Sequence, residues 1–230
     1  LKQLETRPGT FEFLYTNEEK RFRKNIKKNF ELMKSLGWAN PGAISYNINN
    51  QGFRSDFDYN NNDECNVYIG CSYTFGDSLP YESVWTTIVN NALSDYKLYN
   101  FGVLGATAVT CYRVFSSYIN EIKAKRVFML SPATNRKEMF YRGRWQTFRL
   151  GDNPFSSHAE TLNTIFSYEV CLLEKTMAVD AIRGLCLQKN IPFYEINAED
   201  KDTGDATARD LLHFGKDTHK EIANTFIKMI

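Results

Sequence analysis

The chain has 230 residues, 43% hydrophobic and 24% charged, with a formal net charge of +1. That is ordinary globular composition, and the length suits one α/β domain with a short appendage. The near-neutral balance gives no electrostatic reason for nucleic acid or an anionic membrane as partner, and no apolar run approaches the roughly 20 residues of a membrane helix.

Cys65, Cys71, Cys111, Cys171 and Cys186 make an odd count without CxxC spacing. They read as reduced thiols rather than a disulfide framework. No signal peptide is visible, and the chain begins at Leu1 without a Met, which leaves room for a preceding segment. The expectation is a soluble, cytoplasmic protein.

In chain order, residues 1–15 read as irregular. Thr16 is placed to cap a helix running to about Leu36, with Glu18 and Glu19 near its positive end. Lys20, Arg21, Arg23, Lys24, Lys27 and Lys28 form a basic cluster on it, with Phe22, Ile26, Phe30 and Met33 at helical spacing. The plain reading is an amphipathic helix with a solvated face; the functional one is a docking surface for an anionic partner protein. A polar connection, Asn40 to Asn66, follows. It holds "SYNINNQGFRSDF", an extended segment with a turn at Gly52.

From Asn66 onward short apolar runs alternate with helical patterns. Val67–Ile69, Leu98–Phe101, Val127–Leu130 and Phe193–Ile196 read as buried parallel strands. Helical patterns lie at about Val84–Leu93, Val109–Ile122 and Leu162–Leu187, and a last one follows Gly215. This alternation predicts a three-layer α/β fold, a parallel sheet with helices on both faces, over 66–230, preceded by an N-terminal extension over 1–65. Residues 141–155 interrupt the pattern and read as a hairpin or lid. Ligands of such sheets bind where strand carboxyl ends meet their loops.

Two serines stand at the first such end, in "VYIGCSYTFGDSL". A nucleophilic serine needs an exposed hydroxyl at a strand's carboxyl end, an oxyanion site beside its own N–H and a base within reach. Ser72 follows the strand through Gly70 and Cys71. Ser78 lies beyond a second Gly and shortly before Pro80, in what reads as loop. Position favours Ser72, with a turn-capping serine as the competing reading. Candidate partners follow at later strand ends. "NFGVLGAT" supplies Asn100, Gly102 and Gly105; "FMLSPATNR" supplies Asn135, whose amide is suited to an oxyanion. Asp210 stands three residues before His213, a spacing at which a carboxylate orients one imidazole nitrogen and leaves the other free for a serine's proton.

From about Val67 onward these residues resemble the SGNH hydrolase family, also called GDSL esterases and lipases. The resemblance implies a flavodoxin-like fold and a Ser-His-Asp triad working through an acyl-enzyme. Gly70-Cys71-Ser72 matches the G-x-S block, Gly102 the glycine block, Ala133-Thr134-Asn135-Arg136 the G-x-N-D block and Asp210-Leu211-Leu212-His213 the D-x-x-H block. On this alignment Ser72 is the nucleophile, His213 the base, Asp210 its orienter, and Ser72, Gly102 and Asn135 the oxyanion donors. The literal letters Gly76-Asp77-Ser78-Leu79 become a coincidence. Cys71 departs from the family's Asp, and Ala133 and Arg136 from its Gly and Asp. The "NINNQGFRSD" segment is similar to an extension found in some bacterial and phage members.

The expected function is therefore a serine esterase acting on a small acyl ester or an O-acetylated carbohydrate, by hydrolysis or by transfer to another acceptor. The alternative is a weak or inactive module of the same fold with a binding or structural role, associated with a phage particle. Arg136, Arg142, Arg144 and Trp145 cluster near the expected site mouth, with Arg136 and Trp145 the candidate substrate contacts. His219 reads as surface, His158 as loop and Cys71 as structural. No HExxH, CxxC…H, GxxxxGK[ST] or strand-linked GxGxxG occurs, so neither metal nor cofactor is expected.

Overall fold

The computed structural model describes residues 7–141, 143–150, 167–201 and 205–230. Strand β1 (Gly9–Phe11) leads into helices α1 (Thr16–Lys28) and α2 (Phe30–Ser35), then strands β2 (Tyr46–Ile48) and β3 (Glu64–Gly70). Next come helices α3 (Ser72–Phe75) and α4 (Trp85–Leu93), strand β4 (Lys97–Gly102), helix α5 (Ala108–Tyr118) and strand β5 (Lys123–Ser131). The hairpin β6 (Arg136–Tyr141) and β7 (Arg144–Arg149) follows, then helix α6 (Tyr168–Gln188), strand β8 (Phe193–Asn197) and helix α7 (Lys216–Ile227).

The four apolar runs are the centres of β3, β4, β5 and β8, which form one parallel sheet in the order β4-β3-β5-β8. Successive strand residues point to opposite faces. Tyr68, Phe128, Leu130 and Ile196 pack with Trp85 and Val89 of α4 and with Ile222 and Phe226 of α7. Val67, Ile69, Phe101, Val127 and Met129 face the other way, onto Cys111 and Phe115 of α5 and Ile182 and Cys186 of α6. Both faces are covered, which is why the runs are continuously apolar. The fold is the expected three-layer α/β arrangement.

Several local expectations are corrected. β1 pairs antiparallel with β2, so part of the segment expected to be irregular is ordered by a distant partner. The single helix expected to reach Leu36 breaks at Asn29, whose φ is −131° and ψ 38°. Thr16 is the first helical residue rather than the cap; Tyr15 holds the cap position without a side-chain bond, and the Leu14 N–H donates to Glu18 Oε2 at 2.8 Å instead. Phe22, Met33, Trp38, Ile44, Tyr46 and Ile48 join the core on the α4/α7 side. The turn at Gly52 is present, with φ +87° and its N–H on Asn49 O. The β6–β7 hairpin begins earlier than the expected 141–155; Arg142, residues 151–155 and the start of the helix expected from Leu162 lie outside the described residues.

The sheet's carboxyl end has one tight feature. Gly70 and Gly102 are register partners on β3 and β4, and α3 rests directly on them. A Cβ on Gly70 would fall 2.0 Å from Thr74 Oγ1 and 2.8 Å from Leu130 O, and one on Gly102 would fall 2.2 Å from Phe75 N. Because the obstacle at Gly102 is backbone, Gly102→Ala is expected to cost about 1–3 kcal/mol through overpacking. Gly184, inside α6, has nothing within 4 Å of its would-be Cβ. Gly184→Ala is expected to stabilise by about 0.5–1 kcal/mol through helix propensity. Urea unfolding of the two variants checks the opposite signs.

Candidate active site

Ser72 owes its place to the short path from the sheet. β3 ends at Gly70, Cys71 is extended, and Ser72 opens the four-residue α3. Gly76 ends that turn in the left-handed region, φ +82°, and the N–H groups of Gly76 and Asp77 both donate to Ser72 O, at 2.8 and 2.9 Å. Arg54, from the "NQGFRSD" segment, is 1% exposed. Its guanidinium donates to the carbonyls of Gly76 (2.5 Å), Leu79 (2.9 Å) and Ser45 (3.2 Å), which fixes the loop after α3.

The loop before α7 supplies the other groups. Asp210 Oδ1 accepts the backbone N–H groups of Leu212 and His213, each at 3.0 Å. Leu211, between Asp210 and Leu212, has φ +55°, a conformation disfavoured for a residue with a side chain. This tight turn brings Asp210 Oδ2 to 2.8 Å from His213 Nδ1 and His213 Nε2 to 3.0 Å from Ser72 Oγ. Tyr73 contacts the imidazole edge-on at 5.5 Å and stacks on Phe214 at 4.0 Å.

Electrostatics then fixes the proton positions. Burial pushes the Asp210 carboxyl up, but the His213 hydrogen bond and charge and the two backbone N–H groups outweigh it and hold the pKa at about 2. An ionised carboxylate only accepts, so His213 Nδ1–H donates to Asp210 and neutral Nε2 accepts the Ser72 hydroxyl. Burial pulls His213 down, yet the Asp210 hydrogen bond and the Asp77 and Asp210 charges raise it above the ordinary histidine value, with Arg21 acting in the opposite direction.

The remaining expected site residues divide. Gly102 N–H donates to Asn100 Oδ1 at 2.9 Å, and Asn100 Nδ2 donates to Thr74 O at 2.9 Å. Gly102 therefore serves close packing, and its N–H is already engaged, contrary to its expected role as an oxyanion donor. Gly105 is exposed, with φ +70° in the turn closed by Ala106 N–H on Val103 O. Asn135 is half-buried at the foot of the β6–β7 hairpin, its carbonyl accepting Leu150 N–H.

Arg136 donates to Ala106 O at 3.3 Å. Trp145 stacks under Arg113 at 4.7 Å and meets Phe140 edge-on at 5.3 Å, while Arg144 is exposed. Arg136 and Trp145 thus have structural partners. Ser78 is 1% exposed, and its hydroxyl donates to Asp77 Oδ1 at 3.4 Å. His219, expected at the surface, is 1% exposed, and its Nδ1 accepts Trp85 N–H at 3.1 Å; it caps α4 rather than facing water. His158 lies outside the described residues. All five cysteines are buried free thiols.

Sequence reasoning missed the contribution of the N-terminal segment. Arg21 of α1 donates to Asp210 Oδ2 at 3.1 Å, and Asn25 Nδ2 to Asp210 O at 2.9 Å. Arg209 N–H donates to Ser78 O at 3.0 Å, and its guanidinium to Glu18 Oε1 at 2.8 Å, an ion pair 1% exposed on both sides. Asp77, in the string set aside as coincidence, has its Oδ2 3.9 Å from His213 Nε2 and accepts the Tyr15 hydroxyl at 3.2 Å. The basic cluster was visible in the sequence, but nothing distinguished Arg21 within it. Among the described residues no His, Cys, Asp and Glu group is arranged to hold a metal ion, and no helix is long and apolar enough to cross a membrane.

No family model matches the chain, and no curated protein sequence matches it. Solved structures do. A member of the lipolytic G-D-S-L family from Veillonella parvula is 13% identical, with 73% of this chain and 98% of that one covered and a TM-score of 0.39. A psychrotrophic esterase from Pseudoalteromonas is also 13% identical, with 71% and 94% covered and a TM-score of 0.39. A G-D-S-L lipolytic protein from Desulfitobacterium hafniense is 16% identical, with 72% and 99% covered and a TM-score of 0.37.

His219 gives a prediction of its own. Burial, then the charges of His213 and Arg54, depress its pKa to about 3. Between the unfolded value of about 6.5 and that value only the unfolded chain binds the proton, so stability is present at neutral pH and lost as pH falls through this window. The urea midpoint of His219→Gln is expected to fall less than the wild type's between pH 7 and 4. Parallel declines would show that His219 is not held neutral.

Proposed function

We propose that the chain is a serine ester hydrolase whose nucleophile is Ser72, with His213 as base and Asp210 as its orienter. The observation that carries the reading is the continuous hydrogen-bonded chain from Ser72 Oγ through His213 to Asp210, at 3.0 and 2.8 Å. In this reaction Ser72 Oγ attacks the ester carbonyl carbon while its proton passes to His213 Nε2. The tetrahedral intermediate then expels the alcohol oxygen, which takes that proton and leaves the acyl group on Ser72. Water, or another acceptor, repeats the sequence in reverse, with His213 first accepting its proton. Asp210 holds the imidazole in the required tautomer and steadies its charge without itself becoming protonated.

For the oxyanion we assign the Ser72 N–H, the Gly105 N–H in place of the engaged Gly102, and the Asn135 side-chain amide. Ser72 is only 6% exposed, which favours a small acyl group. An acetyl ester, including one on a carbohydrate hydroxyl, is the substrate class of that size.

Hydrolysis of a short-chain chromogenic ester tests the reading. Ser72→Ala is expected to abolish turnover with folding intact, whereas Ser78→Ala keeps most of it. Loss only in the Ser78 variant would reverse the assignment. Asp210→Asn is expected to lower kcat by about 10⁴, the figure for comparable triads.

Only neutral His213 accepts the serine proton, so kcat/KM is expected to rise with pH. Because His213 is raised, the midpoint of that rise lies above the ordinary histidine value. A rate flat between pH 5 and 8 would contradict the triad.

A further inference from the structure

The site holds a second carboxylate that the reaction above does not use. Asp77 lies in the turn that ends α3, and its backbone N–H on Ser72 O ties it to the nucleophile's own residue. Its side chain is 3% exposed, and Oδ2 stands 3.9 Å from His213 Nε2, the nitrogen that faces Ser72. That is too long for a hydrogen bond but close enough for two charges to interact strongly in a site shielded from water.

A buried carboxylate is costly unless it is paired or hydrogen-bonded. Asp77 receives the Tyr15 hydroxyl on Oδ2 at 3.2 Å and the Ser78 hydroxyl on Oδ1 at 3.4 Å. Among the described ion pairs its only cationic partner is His213. The other charged groups nearby are committed elsewhere: Glu18 to Arg209, Asp210 to Arg21 and His213, and Arg54 to backbone carbonyls. Tyr46 gives its hydroxyl to Glu18 and accepts the Ser78 N–H. Arg54 also acts on Asp77 through its charge, but the cation within ion-pair reach is His213, and it exists only while His213 carries two protons.

We propose that Asp77, anchored by Tyr15, is a positioning carboxylate that holds the His213 imidazolium from its Nε2 side while the proton is in transit between Ser72 and the leaving alcohol. The proposal rests on the triad reading above. No bond forms to Asp77, and it takes no proton. The imidazolium made when Ser72 Oγ gives up its proton lies between two carboxylates, Asp210 on Nδ1 and Asp77 on the Nε2 edge, until Nε2 passes the proton to the departing oxygen.

The same charge favours protonated His213 in the free protein, as the raised His213 value reflects, and Arg21 opposes it. Burial in turn raises Asp77 itself, partly offset by His213. A side chain that only filled space would move neither the titration of His213 nor the plateau kcat.

The test is an NMR titration of the His213 ring together with the pH profile of kcat/KM on a chromogenic acetate ester, for wild type, Asp77→Asn, Tyr15→Phe and Arg21→Met. Asp77→Asn is expected to move the His213 titration and the acid limb down by about one pH unit and to lower the plateau kcat about tenfold. Tyr15→Phe moves both in the same direction by less. Arg21→Met moves them up, so general damage to the fold cannot mimic the pattern. If Asp77→Asn fails to fold, the opposed shifts of Tyr15→Phe and Arg21→Met carry the test. A His213 titration unchanged in Asp77→Asn, or in Tyr15→Phe where the first does not fold, overturns the proposal whether or not ester is cleaved. A wild type that cleaves no ester, yet shows the titration shifts, refutes the esterase reading instead.

Discussion

The contact between α3 and the paired glycines Gly70 and Gly102 sets the geometry on which the site depends. With two parallel strands ending in residues that lack a Cβ, the first helical turn sits directly on the sheet, Phe75 N only 2.2 Å from where a Gly102 Cβ would be. A helix that close puts its first residue, Ser72, at the strand end with almost no intervening chain. Asn100 of β4 completes the joint by accepting Gly102 N–H and donating to Thr74 O, so its side chain stitches β4 to α3. The arrangement spends on packing a backbone N–H that otherwise suits an oxyanion.

Around that joint lies a polar network assembled from distant parts of the chain. Arg54 gathers the carbonyls of the loop after α3, and Arg209 bridges that loop to Glu18 in α1. Because the Arg209–Glu18 pair is buried, removing either partner alone leaves an uncompensated charge, a loss of about 3–5 kcal/mol in comparable cases. The pair lies beside Asp210, and α1 adds Arg21 and Asn25 to the same aspartate. The N-terminal segment is thus part of the wall of the site, and its charges reach the imidazole through Asp210 and Asp77. The other residues of the basic cluster on α1, Lys20, Arg23, Lys24, Lys27 and Lys28, face solvent.

The layers of the fold were legible in the sequence because each central strand is buried on both faces and so has a continuous apolar run. Ser72, His213 and Asp210 were legible because strand-end and loop positions constrain them locally. Asp77 was not: it lies in a loop whose letters resembled a motif, and its closeness to His213 depends on the later D-x-x-H turn. Tyr15 and Arg21 were hidden by distance, separated by 62 and 189 residues from the carboxylates they bond. β1 was missed for the same reason, since its partner lies far along the chain. The misplacement of His219 came from treating a lone polar residue on an amphipathic helix as solvated, when the N–H of Trp85 offered it a buried partner.

An activated nucleophile at Ser72 has a direct chemical signature. The most direct measurement is mass spectrometry after exposure to an activated phosphonate ester, which a serine attacks at phosphorus with loss of the leaving group, forming a stable mimic of the tetrahedral intermediate. A single adduct on Ser72 is expected to form in wild type and to fail to form in His213→Ala. An adduct on Ser78, or none on a folded wild-type chain, would contradict it.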